Sequence, residues 1–239
     1  MTRKKKNSIE KGGFFHKPII LLDVDDTLID SSKVTIDLLN EKFEFTNRIK
    51  KLIKENKNIY EELKRWTYYE YFCGSEDGLR KEIEKESERI YESKEFWEKV
   101  SFNKYIDIMF DELGQSFKWI INSKGTKKNL EYKREWLIKH LPKEIEYELV
   151  LECINWGDKI SKKHLRGDII IDDRLDVLKN NNSPIKVLLK NFRKTDYNGG
   201  FGSSKRDFIN EDIYEVNDIK EVIDLLKFFS QYKYTEYLL

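Results

Sequence analysis

The chain has 239 residues, with 45 basic side chains against 44 acidic ones and a net charge of +1. That balance argues against a nucleic-acid coat protein and against an acidic tail protein, while an aromatic content of 13% is enough to fill a core. Two cysteines, Cys73 and Cys153, are too few and too far apart for a disulfide framework or a zinc knuckle.

Residues 1–15 read as a flexible basic arm, with Arg3–Lys6 as its charged tip and no apolar signal core behind it. No apolar run approaches the roughly 20 residues of a membrane span, so a cytoplasmic protein without membrane contact is expected. Pro18–Val24 is a short apolar run that opens on a proline and ends in acids, the pattern of a buried strand. Residues 31–99 carry Val34, Ile36, Leu38, Leu39 and Phe43, then Ile49, Leu52 and Ile53, at helical spacing between charges, and predict an inserted helical cap. Further apolar runs at 118–122, 149–154, 168–172, 186–190 and 213–216 alternate with helical patterns at 105–113, 129–140 and 218–229. Runs apolar on both faces suit a parallel sheet covered by helices. The expected fold is therefore a doubly wound, Rossmann-like α/β sheet, with a core domain from 16–30 and 100–239 and the cap from 31–99. Cys153, in an apolar run, is expected in the core, and Cys73 at the surface.

The stretch Asp23-Val24-Asp25-Asp26-Thr27 follows the first strand directly. Alternation along a strand puts Asp23 and Asp25 on one side, at the carboxyl end where open α/β sheets bind ligands. Carboxylates held so close repel unless a cation or a proton lies between them, and Mg²⁺ meets that need with hard oxygen ligands. A carboxylate is also a nucleophile toward phosphorus. A second acid pair, Asp172-Asp173, ends the run Ile169-Ile170-Ile171. If its strand neighbours the first, four acids surround one point. Alone, that pair would read as a helix N-cap.

These residues resemble the haloacid dehalogenase (HAD) superfamily of aspartate-nucleophile phosphotransferases. Asp23-Val24-Asp25-Asp26-Thr27 matches its first motif, Ser123 after Trp119-Ile120-Ile121-Asn122 its second, a lysine near the following helix its third, and Asp172-Asp173 its fourth. Within the superfamily the chain is most similar to the 5′(3′)-deoxyribonucleotidase type. That likeness rests on Phe96-Trp97, Tyr132-Lys133-Arg134-Glu135-Trp136-Leu137, Asp158-Lys159 and Gly167–Arg174. Asn155-Trp156-Gly157 departs from that group, which usually has an arginine just before the Asp-Lys.

The resemblance implies a Mg²⁺-dependent phosphomonoesterase that forms an aspartyl-phosphate and acts on a small phosphate ester, foremost a (deoxy)nucleoside monophosphate. Asp23 is implied as the nucleophile and Asp25 as the acid and base. Ser123 would bind a phosphoryl oxygen, and Lys133, with Lys124, Lys127 and Lys128 as rivals, would offset the charge on nucleophile and phosphate. Asp23, Asp25 (through its backbone carbonyl) and Asp172 would hold the metal, Asp173 would orient a metal water, and Thr27 would bond and support the turn. Trp66 and Phe72 are the candidates for stacking a base, against packing inside the cap. The alternatives are another phosphate ester, including a nucleic-acid phosphate end met by the basic arm, and a non-enzymatic regulatory module on the same fold.

Overall fold

A computed structural model describes residues 17–62, 68–73, 77–155, 161–190 and 213–232. Six strands form one parallel sheet: β1 (Ile19–Asp23), β2 (Lys118–Gly125), β3 (Tyr147–Cys153), β4 (Ile169–Asp172), β5 (Ile185–Leu189) and β6 (Ile213–Val216). Their spatial order is β3-β2-β1-β4-β5-β6. Each lies on an apolar run picked out in the sequence. The main difference is β2, which continues past Asn122 to Gly125 because β3 pairs Ser123, Lys124 and Gly125 with Leu151, Glu152 and Cys153. Cross-strand pairing here overrides the polar character of those three residues.

The period of two along the strands builds two apolar layers. Ile20, Leu22, Ile169 and Ile171 enter a large cluster on one face, and Leu21 and Ile170 a smaller one on the other. Helices α6 (Ile106–Leu113), α7 (Lys127–His140) and α9 (Ile219–Tyr232) bring Met109, Phe110, Trp136, Leu137, Val222 and Leu226 to the first. The short α8 (Leu175–Asn180) brings Leu175, Val177 and Leu178 to the second. Each fully buried Ile or Leu stabilises by roughly 1.5–3 kcal/mol. Gly167 lies so near β1 that a side chain there would meet Leu21 Cγ at 2.7 Å.

Between β1 and α6 the described chain is helical: α1 (Ser31–Asn40), α2 (Asn47–Lys54), a 3₁₀ turn (Ile59–Glu62), α3 (Tyr69–Phe72), α4 (Asp77–Tyr91) and α5 (Lys94–Lys99). Side-chain caps start several of them, with Asp30 accepting from Lys33 N, Thr46 from Ile49 N and Ser93 from Phe96 N. Their apolar residues continue the large cluster, so Ile36, Ile49, Tyr71 and Ile83 share it with Ile20 and Leu22. The cysteines reverse the expectation: Cys73 is buried, and Cys153, at the end of the edge strand β3, is exposed. Among the described residues no helix is long and apolar enough to cross a membrane.

Candidate active site

The winding direction of the sheet reverses at β1, which has β2 on one side and β4 on the other. Such a switch point opens a crevice at the carboxyl ends of the strands. Leu22 is level with Ile171, so the next residues, Asp23 and Asp172, stand side by side. Carboxylate oxygens of Asp23, Asp172 and Asp173 lie within 4.8 Å of one another, and all three residues are buried. The Lys162 ammonium donates to Asp23 Oδ1 and, at 2.7 Å, to Asp172 Oδ2. Asn181 Nδ2 holds the lysine's backbone by donating to the Lys162 carbonyl at 2.8 Å, and Arg174 N donates to Asp172 Oδ1 at 2.9 Å.

Burial pushes the Asp23 carboxyl up to about 7; Lys162 opposes the rise, and the Asp172 and Asp25 carboxylates add to it. Burial alone would lower the Lys162 pKa, but Asp172 and Asp23 outweigh it and hold the ammonium above the usual lysine range.

Asp25 faces another partner set. Its Oδ2 accepts from Lys133 Nζ at 2.5 Å and from Ser123 Oγ at 3.1 Å, and Lys133 Nζ also donates to Ser123 Oγ at 2.7 Å. Lys133 is 0% exposed, and its ammonium lies 5.9 Å from the ring centre of Trp97. Asp25 Oδ1 is buried and has no hydrogen-bond partner among the described residues. The intervening turn is tight, with the Val24 carbonyl accepting from the backbone N–H of Thr27, Leu28 and Ile29 at 3.3, 2.9 and 3.0 Å. Asp26 adopts φ 57°, a left-handed conformation that Asp tolerates better than most residues.

The structure corrects several expectations. The expected convergence of four acids is one of three, Asp23, Asp172 and Asp173, because Lys133 and Ser123 hold the Asp25 carboxylate on the α7 side. Lys133 meets Asp25 rather than Asp23, so the charge beside Asp23 is offset by Lys162 instead. Of the rivals, Lys127 and Lys128 are exposed, and Lys124 is paired with Glu152 on β3. The Thr27 hydroxyl is buried without a hydrogen-bond partner among the described residues, and only its backbone braces the turn, its carbonyl accepting from Asn103 Nδ2 at 2.8 Å. Phe72 packs inside the helical layer, stacked on Phe45 with ring centres 5.1 Å apart. Trp66, Asp158 and Lys159 lie outside the described residues.

Lys162 was missed in the sequence because Ser161-Lys162-Lys163-His164 belongs to an irregular segment with no period to single out one lysine. Its place shortly upstream of β4 was the available signal.

The residues present fit the implied metal. Asp23, Asp172 and Asp173 offer hard carboxylate oxygens in one buried group, the donor chemistry Mg²⁺ takes. A small cleft reaches Asp23 and Asp173, lined also by Asp25, Ser123, Lys124, Lys162 and Arg174.

No protein-family model and no curated protein matches the sequence. Solved structures do resemble the fold. A predicted phosphatase from Clostridium acetobutylicum is 16% identical with a TM-score of 0.51, over 89% of this chain and 99% of its own. A protein of Clostridium difficile described as a provisional phosphatase is 16% identical with a TM-score of 0.50, over 88% and 99%. A haloacid dehalogenase-like hydrolase from Streptococcus pneumoniae is 13% identical with a TM-score of 0.49, over 87% and 98%. At such identities the likeness is one of fold.

Proposed function

We propose that the protein is a phosphomonoesterase whose nucleophile is Asp23 and whose acid and base is Asp25, acting on a small phosphate ester, foremost a nucleoside monophosphate. The observation that carries this reading is the division of labour between two carboxylates only two residues apart. Asp23 meets Lys162 and the strand-end acids, while Asp25 meets Lys133 and Ser123, and both line one cleft. Two like groups placed in different surroundings can take different roles in one reaction.

In the first half, Asp25 carries a proton taken up as the negatively charged ester binds; an Asp23 oxygen attacks phosphorus, the ester P–O bond breaks, and the departing alkoxide takes that proton from Asp25. In the second half, Asp25 takes a proton from water, whose oxygen displaces Asp23 from phosphorus and releases inorganic phosphate. The Lys162 ammonium favours the ionised nucleophile, and Lys133 and Ser123 hold Asp25 toward the leaving group. Mg²⁺ held by Asp23, Asp172 and Asp173 would supply further positive charge to the phosphoryl oxygens. The nucleotide preference rests on the sequence resemblance, and Phe72 adds nothing to it, being packed away from the cleft.

Phosphate release from a panel of nucleoside monophosphates, sugar phosphates and 4-nitrophenyl phosphate, with Mg²⁺ present, tests the reading. Turnover that Asp23→Asn abolishes is expected. Inactivity across the panel, or full activity in Asp23→Asn, overturns it.

A further inference from the structure

A chain of buried polar contacts runs from the turn that carries Asp25, through the helical insert, to α7. Asp26 is 1% exposed, and its carboxylate accepts from Ser31 Oγ at 2.9 Å, from Ser32 N at 2.7 Å and from Ser32 Oγ. Ser32 Oγ lies 3.3 Å from the Tyr68 hydroxyl, which lies 3.0 Å from the Tyr91 hydroxyl. The backbone carbonyl of Tyr91 accepts from Asn129 Nδ2 at 2.8 Å. Asn129 stands one helical turn before Lys133 on α7, and Lys133 returns to Asp25. Asp25 and Asp26 are consecutive, so the path closes into a ring.

Ser32 donates its one hydroxyl hydrogen to Asp26, so in the Ser32–Tyr68 contact the hydrogen comes from Tyr68. A buried network of this kind is rigid when each member is satisfied. Asp26 also keeps a left-handed φ of 57° that glycine would adopt without strain. What Asp offers there and glycine lacks is the carboxylate that ties the turn to α1.

We propose that Asp26, Tyr68 and Tyr91 are positioning residues for Asp25, holding its carboxylate on Lys133 and Ser123 through this ring. The inference rests on the proposed role of Asp25 as the acid and base. It touches the proton transfer and leaves attack by Asp23 alone, because Asp23 is placed by the strand register of β1 and β4.

The test compares kcat/KM, which reports transfer of the phosphoryl group to Asp23, for 4-nitrophenyl phosphate and for an alkyl phosphate with Mg²⁺. A nitrophenol leaves with little help, whereas an alkoxide needs the Asp25 proton. Tyr91→Phe and Tyr68→Phe should lower the alkyl ester about tenfold more than the aryl ester, a part of what a general acid contributes. Asp26→Gly should do the same although it relaxes the backbone. Tyr60→Phe, which removes a hydroxyl bonded to Asp37 outside the ring, should leave the ratio unchanged. Equal losses on both esters in the tyrosine variants, or no loss, overturn the inference while the proposed function stands. Inactivity of the unmodified protein on both esters overturns the two together. Should Asp26→Gly fail to fold, the tyrosine variants still decide.

Discussion

The two flanks of the cleft are built by different means. On the sheet flank, Asp23 and Asp172 are set by backbone register, and with Asp173 they bring three carboxylates to one point beside the Lys162 ammonium. On the α7 flank, Asp25 is set by side chains from β2 and α7, and its carboxylate faces one ammonium. The first flank is crowded with negative charge and suits a divalent cation. The second is balanced and holds one carboxylate in a fixed place. Strand pairing alone positions charge well, whereas aiming a proton-transferring group takes a side-chain network.

The comparison breaks most sharply at Asp23. Asp23→Asn should lower turnover by at least about 10⁴-fold in a phosphate-release assay, since it removes the nucleophile. Next come the flanks themselves. Lys133→Met should cost about 3–5 kcal/mol in urea unfolding, because it leaves Asp25 buried without its cation. Asp173→Asn should instead raise the stability of the metal-free protein and weaken activation by Mg²⁺. Equal destabilisation by both changes would erase the distinction.

A smaller effect follows from the raised Asp23 carboxyl. With a chelator present, the folded state holds the Asp23 proton up to about 7, whereas the ordinary value is 3.8. The folded state then binds more protons than the unfolded one, so stability falls as pH rises through that window. Unfolding measured from pH 4 to pH 8 should show the fall, Asp23→Asn should flatten it, and a wild-type slope equal to that of Asp23→Asn would count against it. The smallest effect on activity is expected at Phe72. Phe72→Leu should lower stability by about 1 kcal/mol or more yet leave KM for a nucleotide unchanged, because the ring packs on Phe45. A raised KM would return Phe72 to the substrate.

Local pattern alone determined much of this protein. Short apolar runs marked the six strands, two of them closed by acids, and helical spacing marked the segment between β1 and α6, because burial on both faces and amphipathic burial each leave a periodic trace. Asp23, Asp25, Asp172 and Asp173 were legible as candidates because each sits at or just past a strand end, whereas Ser123, inside β2, was a candidate through the family resemblance. Only the tertiary structure decided which lysine meets which carboxylate, since Lys133 lies 108 residues from Asp25 and Lys162 139 residues from Asp23, and charge on a loop or helix has no period to betray its target. It also decided that Thr27 braces the turn by its backbone, that Phe72 turns into the helical layer, and that Asp26 reaches Ser31 and Ser32. Burial on a face is written into neighbouring residues, but the choice of a polar partner is settled only when distant segments close around it and each buried donor must find an acceptor.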